Sequence, residues 1–72
     1  MKTFRSVKEI KLEILSTIEG NSQRGSKTSA SSFSMFEHRE RLDLPEAIRE
    51  LVSERRIRAV ESDRHYYYEL EK

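Results

Sequence analysis

The run Leu44-Pro45-Glu46-Ala47-Ile48-Arg49-Glu50-Leu51-Val52-Ser53-Glu54-Arg55-Arg56-Ile57-Arg58-Ala59-Val60-Glu61-Ser62-Asp63-Arg64-His65-Tyr66-Tyr67-Tyr68-Glu69-Leu70 changes its period halfway along. In its first half Leu44, Ile48, Leu51 and Val52 recur at helical spacing, which predicts a helix from 44 to about 55. Asp43 and Glu46 form a capping pattern around Leu44-Pro45. A proline is tolerated in a first helical turn, where its missing N–H would be unpaired anyway. In the second half Ile57 to Glu61 and His65 to Leu70 are β-branched and aromatic, with Ser62-Asp63-Arg64 as a turn, and predict a hairpin. Alternation puts Tyr66, Tyr68 and Leu70 on one face and Tyr67 and Glu69 on the other. Tyr66 and Tyr68 are then expected in the core, and Tyr67 is the better placed for an outside contact.

Working back from this unit, Ser6 and Glu9 form a capping box. Val7, Ile10, Ile14, Leu15 and Ile18 follow at helical spacing, and Gly20-Asn21 is a stop signal, so a helix is predicted over about 6–19. Residues 20–32 hold almost no apolar side chains and read as a flexible loop, within which Thr28-Ser29-Ala30 could form a short edge strand. Phe33, Met35, Phe36 and Leu42 mark a helix over about 33–42, with Ser34 and Glu37 as a second capping pair.

Three helices followed by a C-terminal hairpin predict an α+β chain, and helix, tight turn, helix, hairpin is the order of a winged helix. Seventy-two residues suit a single domain spanning 1–72. Ile48 to Ile57 resembles the end of the third helix and the first strand of winged-helix regulators, with Arg55 where those families often have glycine. Glu61 to Leu70 looks like the wing of ArsR-type or PadR-type repressors and is similar to small winged-helix proteins of phage and prophage origin. The resemblance implies a small DNA-binding transcription regulator of the cytoplasm whose partner is double-stranded DNA.

Charged residues make up 38% of the sequence, yet the net charge is only +1, so a polybasic tail is excluded and distribution matters more than sum. Residues 1–27 are net +3, residues 37–54 net −3 and residues 55–65 net +2. No cysteine is present, which removes disulfides, thiolate zinc sites and thiol nucleophiles and suits a reducing cytoplasm. The apolar runs are too short for a membrane helix, and Met1 to Arg5 does not begin a signal peptide. His38 and His65 stand far apart without metal-ligand spacing, and Gly20 and Gly25 fit no phosphate loop. No catalytic constellation, cofactor motif or small-molecule substrate site stands out, so an enzyme is not expected.

The candidate nucleic-acid contacts are Arg55, Arg56, Arg58, Arg64 and His65 on the wing, where guanidinium groups can grip phosphates. Arg49 joins them from the third helix. Lys8, Lys11, Arg24 and Lys27, with Lys2 and Arg5, form a second basic surface. The outward positions of the third helix, Glu46, Arg49, Glu50 and Ser53, are not the set that reads base edges. That composition leaves a second class open, a protein-interaction module using Glu46, Glu50 and Tyr67. A copy of the chain is its simplest partner, joined through the first helix or the free hairpin edge. So small a core favours association of this kind.

Overall fold

A computed structural model describes residues 4–71. Helix α1 spans Val7–Gln23. Its start follows the capping expectation: the Glu9 N–H donates to Ser6 Oγ at 3.3 Å, and the Ser6 N–H donates to Glu9 Oε1 at 3.1 Å. Ile10, Ile14 and Ile18 are buried on its inner face.

The end of α1 corrects the expected boundary. The helix runs through Gly20-Asn21 and stops at Gly25, which takes φ 73°. The Ser26 N–H reaches the Asn21 carbonyl at 2.8 Å and the Gly25 N–H the Ser22 carbonyl at 3.1 Å. These two bonds close a Schellman motif on a left-handed glycine. A glycine inside a helix costs only about 1 kcal/mol. It is the glycine at which the carbonyls are recapped that ends the helix.

The segment expected as one helix over 33–42 is divided. Ala30–Phe33 forms a single 3-10 turn, and helix α2 is one turn long, His38–Arg41. Phe33 and Phe36 both enter the core with ring centroids 6.3 Å apart. The predicted markers Met35 and Leu42 are instead exposed, Leu42 by 70%. The cap expected from Ser34 and Glu37 is replaced by one in which the Glu37 N–H donates to Glu40 Oε1 at 2.8 Å.

Helix α3 spans Leu44–Ser53, slightly shorter than expected, with Pro45 in its first turn. Asp43 does not act as the expected side-chain cap, because its own backbone is helical (φ −94°, ψ −5°). Only Leu42 and Asp43 separate α2 from α3. At the far end Arg55 takes φ 60°, and the Arg56 N–H bonds the Leu51 carbonyl at 2.9 Å. This is a second Schellman motif, here with arginine where glycine is usual.

Strands β1 (Ile57–Ser62) and β2 (His65–Leu70) pair antiparallel from Ile57 opposite Leu70 to Ser62 opposite His65. The turn is the two residues Asp63 and Arg64, both at positive φ (50° and 68°), the pattern of a type I′ turn that matches strand twist. Thr28 makes an isolated bridge to Tyr68, which donates its N–H to the Thr28 carbonyl at 2.8 Å. The short edge strand expected near Thr28 is thus reduced to one bridge beside β2.

The core joins the isoleucines of α1 to Phe33, Phe36, Ala47, Leu51 and Ile57, with Tyr68 and Leu70 packed against it. Tyr68 meets the Phe33 ring at 6.1 Å. Tyr66 shares that strand face but departs from expectation, being 57% exposed. It lies two residues nearer the hairpin tip, beyond the helices that cover Tyr68. The element order, with a first strand position beside β2, is compatible with a winged-helix layout.

Candidate nucleic-acid interface

The acidic face of α3 is partly neutralised from within. Lys11 of α1 donates to Glu54 Oε2 at 2.6 Å and to Glu50 Oε1 at 3.3 Å, and its side chain is only 15% exposed. The hydrogen bond to Glu54 holds the Lys11 ammonium above its ordinary pKa against the opposing effect of desolvation, and Glu50 adds to it. Lys11 therefore fastens α1 to α3 rather than standing free, and Glu50 is its partner. Glu46 remains exposed on α3, without an ion pair among the described residues.

The wing cations separate into two groups. Arg55 and Arg56 lie exposed at the α3–β1 junction, with Arg49 on the outward face of α3 less than two turns before them. Arg64 and His65 lie exposed at the hairpin tip. The six residues of β1 put these groups about 20 Å apart at roughly 3.3 Å per residue. Arg58, between them, is opposite Glu69 in register and pairs with it at 3.5 Å. The expected basic wing is thus balanced overall: four arginines face four carboxylates between Arg55 and Glu71. What distinguishes Arg49, Arg55, Arg56 and Arg64 is that none of their guanidinium groups makes an ion pair or hydrogen bond among the described residues.

The second basic surface is dispersed. Lys8 is exposed on α1 without a partner among the described residues. Arg24 bonds the Asn21 side chain. Lys27 places its ammonium 4.8 Å from the centre of the Tyr67 ring. Arg5 is committed to Glu40 through backbone and side chain, at 2.7 and 3.0 Å. Lys2 lies outside the described residues.

Among the tyrosines, the one expected to face outward is half-buried: Tyr67 lies opposite Val60 and under Lys27. Tyr66 is the exposed ring, and a hydrogen bond from its hydroxyl to the cross-strand Glu61 carboxylate raises its pKa above the ordinary tyrosine value.

Reading of the sequence missed Glu40. Its side chain is 2% exposed and takes the N–H of Arg5, the N–H of Glu37 and the Arg5 guanidinium. The backbone bond from Arg5, then that from Glu37, hold its carboxyl below the usual glutamate range. The only clue in the sequence is its i+7 spacing from Phe33, which helical periodicity assigns to an apolar residue.

Among the described residues no group of three or more His, Cys, Asp or Glu could hold a metal ion, and no helix is long and apolar enough to cross a membrane. No protein-family model, curated protein or solved structure matches the chain.

Proposed function

We propose that this chain is a winged-helix protein that grips duplex DNA by its phosphates and serves as a small transcription regulator. The observation that carries this is the set of arginines left free after internal pairing. Lys11 absorbs Glu50 and Glu54, so the cations without an ion pair around the outer end of α3 and the wing are Arg49, Arg55, Arg56 and Arg64, interspersed with the carboxylates Glu46, Glu61, Asp63 and Glu71. Two arginine groups about 20 Å apart suit contacts to separate stretches of phosphate backbone, the first from the helix end and the second from the hairpin tip. The helix–helix–helix–hairpin order and the Thr28 bridge beside β2 support the winged-helix reading, and a DNA partner together with a cysteine-free sequence supports a cytoplasmic protein.

The test is a titration of labelled duplex at 50 and 200 mM salt. Four phosphate contacts give a log–log slope near −3.6, an affinity loss of roughly a hundredfold over that range. Arg56→Ala should reduce the slope by about one. Glu46→Lys should tighten binding, whereas Glu50→Lys also breaks the bond to Lys11 and is not a clean probe. Affinity that does not respond to salt overturns the proposal.

A second reading, a protein-interaction module, is favoured by the unpaired outer edge of β1 and by the exposure of Leu42. Under that reading Glu46→Lys weakens partner binding and leaves DNA unbound.

A further inference from the structure

The outer edge of β1 pairs with no strand among the described residues, and the direction of each of its backbone groups follows from the register. The Tyr68 N–H points away from β1 to the Thr28 carbonyl, and the Glu71 N–H bonds the Arg56 carbonyl at 2.9 Å. Along an antiparallel pair, residues alternate between bonding their partner and facing away from it. Arg56, Arg58 and Val60 therefore bond toward β2, whereas Ile57, Ala59 and Glu61 turn their N–H and C=O groups to the free edge. Arg58, Ala59 and Glu61 are exposed, which leaves this edge open to a further strand.

Charge along the edge is ordered. Arg55, Arg56 and Arg58 come first, and Glu61 and Asp63 come last. Among the described residues Arg58 alone of these five makes an ion pair, with Glu69. An antiparallel copy of the same strand presents this order reversed, so the basic start of each meets the acidic end of the other. A parallel copy would set like charges side by side.

We infer that β1 is a self-association edge, which pairs antiparallel with β1 of a second copy of this chain across a twofold axis at Ala59. That register sets Ala59 against its own twin and Ile57 opposite the partner's Glu61, so all three outward residues exchange backbone hydrogen bonds. Arg56 comes opposite the partner's Ser62, between the partner's Glu61 and the partner's Asp63. The side chain at the axis is the smallest on the strand, which leaves room for its twin. The pairing does not rest on DNA binding. Under the DNA reading, duplex and second copy compete for Arg55 and Arg56.

The whole chain is followed by sedimentation equilibrium and by amide hydrogen exchange at micromolar and at millimolar concentration. A weak dimer is expected, as suits an interface below the standard size, and added salt should weaken it further. The Ala59 and Glu61 amides should gain protection as the dimer fills, while Val60 is protected throughout. Arg55→Gly with Arg56→Glu makes one variant, and Glu61→Lys with Asp63→Asn another, asparagine being suited to the positive-φ turn. Each alone should stay monomeric, and an equimolar mixture should pair, because every basic end then meets an acidic one. A parent chain that remains monomeric at millimolar concentration overturns the inference and leaves the edge to a foreign strand. So does a dimer whose Ala59 and Glu61 amides stay unprotected, or a mixture that associates no better than either variant alone.

Discussion

Arg55 shows most directly how one residue can serve two ends. Its φ of 60° is a conformation that costs an L-residue roughly 1–2 kcal/mol relative to the right-handed region, and glycine takes it without that cost. Arg55→Gly is therefore expected to stabilise the fold by about 1 kcal/mol, read from the midpoint of urea unfolding. The same change removes an unpaired guanidinium, so duplex affinity should fall while stability rises. A destabilised variant would show that the Arg55 side chain supports the fold through a contact of its own. The tyrosines carry the complementary lesson. Period-two alternation assigned each ring to a strand face correctly, but exposure depended on distance from the hairpin tip and on a lysine forty residues away.

At the scale of the element, α1 shows why a helix end is set by geometry rather than by the first glycine met. Gly20 is helical, and a Cβ built there meets nothing closer than Arg24 Nη1 at 3.9 Å, an ordinary contact. Gly20→Ala should raise stability by about 1 kcal/mol. Gly25→Ala should lower it, because φ 73° strains any side chain. Equal effects at the two glycines, measured by thermal unfolding, would contradict the assignment of Gly25 as the capping residue. The division of the 33–42 segment has a related cause. Phe33 and Phe36 are recruited by the core and Glu40 by Arg5 and Glu37, and a 3-10 turn followed by a single α-turn satisfies all three.

At the scale of the whole molecule, Glu40 ties the chain leading into α1 to the start of α2, across 35 residues of sequence. Its folded pKa is lowered from 4.5. The ionised carboxylate therefore contributes stability that is fully present above about pH 4.5 and is lost as pH falls through the folded value. Glu40→Gln should be less stable than the parent at pH 7, and the gap should narrow on acidification. A gap of the same size at pH 7 and pH 3, from urea unfolding at each, would show that the carboxylate's charge is not what matters.

The sequence by itself determined what depends on neighbours along the chain. The Ser6–Glu9 cap, the isoleucine stripe of α1, the body of α3 and the hairpin turn at Asp63-Arg64 all follow from local periodicity and local hydrogen bonding. The structure decided what depends on distant partners: where α1 ends, how residues 30–41 divide, which tyrosine is exposed and which charges remain unpaired. Lys11 and Glu50 looked like two independent site residues until packing of α1 on α3 brought them together. Ion pairs over such separations, 39 and 43 residues here, leave no periodic trace, because any exposed position can hold either charge. The candidate interface therefore emerged by subtraction. Its residues were visible in the sequence, and the tertiary fold narrowed them by engaging Lys11, Arg24, Lys27 and Arg58.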